Sequence, residues 1–188
     1  MKITIPHVVR RQVPKLLLSD PGAAEPTAII DTREQTPLTL DLPSIPKGLT
    51  SGDYSFVGGE HLFAVERKSL ADLIACVTRE RERFERELIR LRGYRFRRLL
   101  IVGTPEDLEG GHYVSQTPPT AIAQSLAVWE VRYDIPYIFA CAPDIAGRIV
   151  SNWIRAFARE LVKDATTMAV GSPAASPSPN PKPRQQAA

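Results

Sequence analysis

The stretch from Gly52 to Asp72 constrains the fold of this chain more than any other part of its sequence. It reads G-D-Y-S-F-V-G-G-E-H-L-F-A-V-E-R-K-S-L-A-D, with alternating residues on either side of a Gly-Gly pair. This pattern predicts two antiparallel strands, at about residues 53–57 and 62–67, joined by a tight turn. The first strand then begins with Asp53, and the second ends near Glu66.

The length of the turn decides how the two acids are paired. If Gly59-Glu60 is a two-residue loop, with glycine at the first central position of a type II′ turn, Asp53 lies directly across from Glu66. Residues paired in this way have β-carbons about 4.5–5.5 Å apart. A Gly58-Gly59 loop would make the pair diagonal but keep both acids on one face. A three-residue loop would break the pairing unless a bulge restored it.

Lys68 belongs to the same face as Glu66, because side chains two residues apart on a strand point the same way. Two carboxylates this close repel each other unless they share a proton or a cation. Two acids and a lysine on one face are the parts of a metal-dependent phosphodiesterase, in which the acids hold a divalent cation and the lysine steadies the reacting groups. A surface salt-bridge cluster is the alternative that this short pattern leaves open.

Two neighbouring features extend the pattern. An apolar run ends abruptly in Asp31-Thr32-Arg33-Glu34, as a buried strand does where it leaves the core, and a helical pattern begins close to Asp72. The segment resembles the GD…ERKxxxD signature of the XPF-type (ERCC-type) structure-specific endonuclease domain, of the restriction-endonuclease-like superfamily. Here the signature reads Gly52-Asp53, Glu66-Arg67-Lys68 and Asp72. The similarity covers roughly residues 27 to 162.

The resemblance implies an α/β fold, a restriction-endonuclease-like three-layer sandwich with a central mixed β-sheet flanked by helices. The order of predicted strands and helices agrees with this architecture. We expect an N-terminal arm (1–26), a nuclease domain (27–164) and a disordered tail rich in Pro, Ser and Ala (165–188) that cannot bury enough apolar area to fold. A short strand is predicted at 38–40 and a loop at 106–115.

The resemblance also implies a metal site. Asp53 and Glu66 are expected to be metal ligands, helped by the carbonyl of Arg67, while Asp31 acts through a second metal or a bound water. The three histidines are scattered, so no zinc-type spacing exists. Oxygen ligands favour Mg²⁺, for which Mn²⁺ would substitute.

The remaining motif residues receive supporting roles from the resemblance. Lys68 contacts the attacking water or the scissile phosphate, and Glu34 supports the site. The Arg67 side chain holds the site together or touches phosphate, and Asp72 orients Lys68 or Arg67. The implied activity is hydrolysis of DNA phosphodiester bonds, leaving a 5′-phosphate and a 3′-hydroxyl, preferentially at branched DNA such as flaps and forks. The alternatives are a non-catalytic DNA-binding or scaffolding subunit and a restriction-type or junction-resolving nuclease.

Basic residues point to the DNA contacts. The formal net charge of +3 is too small to name a partner, but nine arginines and four glutamates lie between Arg79 and Arg98. Such a stripe is typical of phosphate binding, although its first half also fits a solvated helix with Glu–Arg pairs. The arginines expected to bind DNA are Arg33, Arg83, Arg90, Arg95, Arg97 and Arg98.

The expected partners are DNA and either a second copy of this chain in a homodimer or a partner protein. No contact with a membrane is expected. No run of eighteen apolar residues is present, so no membrane span is expected. The N-terminus lacks the pattern of a signal peptide, and we expect action with DNA in the cytoplasm of a bacterial or phage-infected cell.

Overall fold

Six strands form one mixed sheet in a computed structural model that describes residues 25–170, with side chains up to 168. Along the sheet the order is β2-β1-β3-β4-β5-β6. Antiparallel pairing joins β3 to both β1 and β4, and the other neighbours are parallel. The strands are β1 (Ala28–Ile30), β2 (Ser44–Pro46), β3 (Tyr54–Phe56), β4 (Phe63–Ser69), β5 (Phe96–Val102) and β6 (Tyr137–Ala140).

Helices cover both faces of this sheet. Within the described residues they are α1 (Leu70–Val77), α2 (Arg81–Leu91), α3 (Pro105–Glu109), α4 (Pro119–Tyr133) and α5 (Pro143–Val170). One core lies between the sheet and the helices α1, α2 and α4, and includes Ala64, Phe84 and Trp129. The other core lies between the sheet and α5, and includes Phe63, Val65 and Ile154. The predicted three-layer sandwich with a mixed central sheet is therefore confirmed.

The hairpin has the predicted pairing but a different turn. Tyr54 is paired with Val65, so the next positions outward are Asp53 and Glu66, as a direct pair requires. The strands, however, end at Phe56 and resume at Phe63, which leaves a six-residue connection instead of a two-residue loop.

Two glycines shape this connection. The N–H of Gly59 donates to the carbonyl of Phe56 at 2.9 Å, and Gly58 has φ 85°, as in a type II turn. A β-carbon on Gly59 would lie 2.3 Å from the Phe56 ring, so this close approach admits only glycine.

Two predicted elements were wrong. The short strand predicted at 38–40 does not form, and the strand of this region is β2 (Ser44–Pro46), an exposed edge strand in which a proline does not interrupt the sheet. Leu38 and Leu42 are buried anchors of the α5 core. The predicted loop 106–115 begins with helix α3, because Thr104 and Asp107 form a capping box.

The last helix continues to Val170, beyond the expected domain end at residue 164. Residues 1–24 of the predicted arm and residues 171–188 of the predicted tail lie outside the described residues. Between residues 25 and 170, no helix is long and apolar enough to cross a membrane.

Candidate active site

Strand alternation places three charged side chains on one face of the sheet. Val65 belongs to the core under α5, so its neighbour Glu66 points to the opposite face, towards α1 and α2, and Lys68 does the same. Tyr54 also belongs to the α5 core, so Asp53, the residue before it, shares the face of Glu66. The structure thus brings Asp53, Glu66 and Lys68 together as predicted from the hairpin.

A glycine sets the position of Asp53. Gly52 has φ 78°, and a β-carbon there would lie 3.1 Å from the carbonyl oxygen of Val65. This approach lets the N–H of Asp53 donate to the same carbonyl at 2.8 Å. Oδ2 of Asp53 accepts a hydrogen bond of 2.7 Å from the N–H of Arg67. The carboxylate is therefore fixed by backbone groups of β4.

Glu66 is the most enclosed acid of the site, with a relative exposure of 1%. Its Oε1 forms an ion pair with Nζ of Lys68. Its Oε2 has no hydrogen-bond partner within the described residues, although buried carboxylate oxygens are normally paired. Lys68 is held from the other side by Phe84 of α2, whose ring centroid lies 5.4 Å from Nζ.

The pKa values of both acids are raised, so that both carboxylates ionise less readily than in water. Burial raises the pKa of Asp53 to about 6, against the opposing hydrogen bond from Arg67. Burial and the charge of Asp53 raise the pKa of Glu66 to about 8, although Lys68 opposes this. For Lys68, burial lowers the pKa, but the charge of Glu66 outweighs it and the net shift is upward. The lysine is therefore an ammonium ion at neutral pH.

These residues fit a hard divalent cation. A bound cation would give Oε2 of Glu66 a partner and would offset the repulsion between the two acids. Oxygen donors of this kind suit Mg²⁺ or Mn²⁺. Within residues 25–170, no three acidic, histidine or cysteine side chains are grouped to hold an ion. The acid pair would therefore need a backbone donor, and the carbonyl of Arg67 is the one predicted.

Asp31 lies next to the site, but both oxygens of its carboxylate already accept hydrogen bonds. Its N–H donates to the carbonyl of Asp53, yet its own carboxylate faces Arg33 and Leu49. Oδ1 accepts from the N–H and Nε of Arg33 at 2.8 and 2.7 Å, and Oδ2 accepts from the N–H of Leu49 at 2.6 Å. Although burial raises its pKa, these bonds bring it below the ordinary value. The structure gives Asp31 a role in shaping the loop after β1.

Arg67 and Glu34 lie on the other side of β4. Arg67 shares the face of Val65, and its Nη1 lies 3.7 Å from Oε1 of Glu34, with both side chains largely buried. The Nε of Arg67 has no partner among the described residues. This pair ties β4 to the segment after β1.

Asp72 is placed away from the residues it was expected to orient. Its Oδ2 accepts from the N–H and Oγ of Ser69, and Oγ of Ser69 accepts from the N–H of Asp72. The two residues form the capping box that begins α1. The structure does not bring the Asp72 carboxylate together with Lys68 or Arg67, because this carboxylate is hydrogen-bonded to Ser69.

The predicted DNA-binding arginines fall into two groups. Arg33 lies near the acid pair: its side chain is 70% exposed, pairs with Asp31 and senses the charge of Asp53. The Arg83 side chain is 60% exposed, pairs with Glu80 and senses the charge of Glu87. Arg90 lies further along α2 and is exposed.

The second group lies at the other end of the sheet. Because β4 and β5 are parallel, Arg97 pairs with Ala64 while Lys68 pairs with Ile101, a separation of about 13 Å along the strand. Each of these arginines has a structural partner: Arg95 pairs with Asp164, Arg97 with Asp134, and Arg98 stacks 4.5 Å from the ring centroid of Phe96. The structure does not bring them to the acid pair.

Sequence reasoning missed Glu87. This residue of α2 is half-buried, and its charge acts on Asp53, Glu66 and Lys68. Helical spacing carried the signal, since Glu87 follows Arg83, a predicted DNA-binding residue, by four residues and therefore lies on the same side of the helix.

Comparison with protein families gives a single assignment. Residues 30–152 match the family model described as the ERCC4 domain, and this range includes every predicted site residue. The chain belongs to the ERCC4 domain family. This is a family of structure-specific nucleases. No curated protein sequence matches the chain.

Solved structures agree on the fold. XPF from Aeropyrum pernix is similar, with a TM-score of 0.59 and 22% identity over 76% of this chain and 70% of that chain. The same protein in complex with DNA has a TM-score of 0.53 and 21% identity over 76% of this chain and 66% of that chain. At this identity the likeness supports the ERCC4 fold.

Proposed function

We propose that this ERCC4 domain is a metal-dependent DNA endonuclease that hydrolyses phosphodiester bonds at branched DNA such as flaps and forks. One observation carries the proposal: Asp53 and Glu66 share a face of the sheet beside Lys68, with a buried Glu66 oxygen that has no partner in the described residues. Two acids kept so close need a cation to be ionised together.

Mg²⁺ is the proposed cofactor, and Mn²⁺ would substitute for it. Asp53, Glu66 and the carbonyl of Arg67 would hold the ion. When bound, such an ion activates water and neutralises charge on the phosphate. The hydrogen bond from the N–H of Arg67 to Asp53 keeps that carboxylate in place before any ion arrives.

Lys68 acts as a cation and a hydrogen-bond donor. Its pKa lies above the ordinary lysine value because the charge of Glu66 outweighs the effect of burial, so it keeps its protons at neutral pH. It is therefore unsuited to remove a proton from water, and suited to donate to a phosphate oxygen or to the attacking water. Arg33 and Arg83, both well exposed, can contact neighbouring phosphates.

A homodimer or a partner protein is proposed to extend the DNA contacts. Apolar side chains on α4 and on the edge strand β6 support such a contact, since Val131 is 87% exposed and Val128 and Ile138 are also exposed. The length of the DNA site would then exceed what one copy can cover. Light scattering at several protein concentrations tests this part of the proposal.

A cleavage panel tests the activity. The full chain is incubated with flap, fork, four-way junction and plain duplex DNA, in Mg²⁺ and in EDTA. We expect Mg²⁺-dependent cleavage that is fastest on flaps or forks. Preference for the four-way junction or for plain duplex would favour a junction-resolving or restriction-type nuclease. Binding without cleavage of any substrate would favour a non-catalytic subunit.

A further inference from the structure

Helix α2 brings one more carboxylate to the acid pair. The ring of Phe84 lies 5.4 Å from Nζ of Lys68, so α2 packs against β4 at the site itself. Glu87 follows Phe84 by three residues and therefore lies on the same side of the helix, one turn further on. Its side chain is half-buried, whereas Glu82 of the same helix is exposed.

The charge of Glu87 acts on the charged groups of the site. Besides the larger effects of burial and of nearer partners, its charge raises the pKa of Asp53, Glu66 and Lys68. It also acts on Arg33 and Arg83, whose exposed side chains lie nearby. The packing of Phe84 on Lys68 thus places Glu87 on the side of α2 that faces the acid pair.

No other residue between 25 and 168 neutralises Glu87 through an ion pair. Two arginines of its own helix pair with other acids, Arg81 with Glu85 and Arg83 with Glu80, and the other two, Arg86 and Arg90, are exposed. A further negative charge near two buried acids is unfavourable in the absence of a cation and favourable in its presence. The charge of Glu87 at this position is therefore favourable when the site holds a divalent cation.

Glu87 is not grouped with Asp53 and Glu66 as a third ligand in the described part of the chain. The described residues contain no group of three acidic, histidine or cysteine side chains that could hold one ion. We propose that Glu87 is a positioning residue of the cation site, which stays outside the ligand set and strengthens the binding of a divalent cation at Asp53 and Glu66. This inference rests on the proposed function. Residues behind the ligands typically change metal affinity by about 10- to 100-fold.

Mn²⁺ binding by the full chain tests this role without DNA and without an activity measurement. Isothermal titration calorimetry compares the wild type with Glu87→Gln, which keeps the shape and removes the charge. We expect Glu87→Gln to bind Mn²⁺ about tenfold more weakly. Glu87→Asp, which keeps the charge, is expected to bind more tightly than Glu87→Gln. Glu82→Gln, with the same charge change on the exposed side of α2, is expected to match the wild type.

The outcomes separate this inference from the proposed function. If the wild type binds Mn²⁺, Asp53→Asn does not, and Glu87→Gln binds as tightly as the wild type, the role of Glu87 is overturned and the metal site stands. The role is also overturned if Glu82→Gln weakens binding as much as Glu87→Gln, or if Glu87→Asp binds more weakly than Glu87→Gln. If the wild type binds no Mn²⁺, the metal-dependent function and the role of Glu87 fail together.

Discussion

The carboxylate of Asp53 accepts a hydrogen bond from the backbone N–H of Arg67, with Oδ2 2.7 Å from the nitrogen. This bond joins the residue before β3 to β4 and keeps the carboxylate on the face that carries Glu66 and Lys68. The acid pair is therefore set by the sheet backbone and exists before a cation arrives. Such preorganisation favours ion binding and leaves two repelling groups in the ion-free protein.

Asp53→Asn is expected to stabilise the ion-free protein. An amide oxygen still accepts the N–H of Arg67, and the repelling charge is gone. The pKa of Asp53 is raised from 3.8 to about 6, and one pKa unit corresponds to about 1.4 kcal/mol, so the gain at neutral pH is at most about 3 kcal/mol. Thermal unfolding in EDTA measures it, with the exposed Asp144→Asn as the control. A lower melting temperature for Asp53→Asn than for wild type would contradict this prediction.

Stability of the ion-free protein is expected to decrease with rising pH. The pKa values of Asp53 and Glu66 are raised from 3.8 to about 6 and from 4.5 to about 8 in the folded protein. The folded state therefore binds more protons than the unfolded state between about pH 4 and pH 8, and its free energy of unfolding falls across this window. Urea unfolding in EDTA at several pH values checks this.

The double variant Asp53→Asn, Glu66→Gln isolates the contribution of the acid pair. Its free energy of unfolding should exceed that of the wild type by an amount that increases as the pH rises from about 4 to about 8. Saturating Mg²⁺ should reduce this difference, because the ion stabilises only the wild type. A difference that shrinks with rising pH in EDTA would show that the acids are not raised in pKa.

Glu85 is expected to be important for stability. Its Oε1 accepts from Nε1 of Trp129 at 3.1 Å and from Nε of Arg81 at 3.0 Å, and its Oε2 accepts from the hydroxyl of Tyr133 at 3.2 Å. Glu85→Ala leaves the indole N–H of the buried Trp129 without this partner, at a cost of about 1–3 kcal/mol. Denaturant unfolding measures the loss, and the exposed Glu82→Ala serves as the control. Equal unfolding midpoints for the two variants would contradict this role.

DNA binding is expected to depend on Arg33 and Arg83 more than on Arg97. Each phosphate contact contributes about 0.9 to the slope of log affinity against log salt concentration, so Arg33→Gln with Arg83→Gln should reduce the slope by about 1.8. Arg97→Gln should mainly lower stability, since Arg97 pairs with Asp134 and donates to the carbonyl of Tyr94. Fluorescence anisotropy in Ca²⁺, across a salt series, measures these slopes. A larger change for Arg97→Gln would move the DNA contact to the other end of the sheet.

The sequence predicted the acid pair because burial decides which face of the hairpin each residue occupies. Tyr54, Phe56 and Val65 must all face the α5 core, and this requirement places Asp53 and Glu66 together on the opposite face whether the connection has two residues or six. The turn itself was wrong, since the Gly-Gly pair serves a type II turn and a close approach to Phe56. The glycines are compatible with several turn types, whereas the buried pattern is compatible with only one assignment of residues to the two faces of the sheet.

Residues that depend on tertiary position were harder to predict. Arg95, Arg97 and Arg98 follow a basic helix in sequence, but the parallel strand β5 starts at the end of the sheet far from Lys68. Asp72 matches the family signature, and its local capping bond with Ser69 could have been expected from the Ser-x-x-Asp spacing. Glu87 was missed because only the apolar positions of α2 were used to orient the helix.

Cleavage by the wild type and by Asp53→Asn tests the central claim most directly. Both proteins are incubated with the preferred branched DNA in Mg²⁺, after equal DNA binding and intact folding have been established. The account predicts Mg²⁺-dependent cleavage by the wild type and none above background by Asp53→Asn. Near-normal cleavage by a folded Asp53→Asn protein would contradict the assignment of Asp53 and Glu66 as the cation-binding pair.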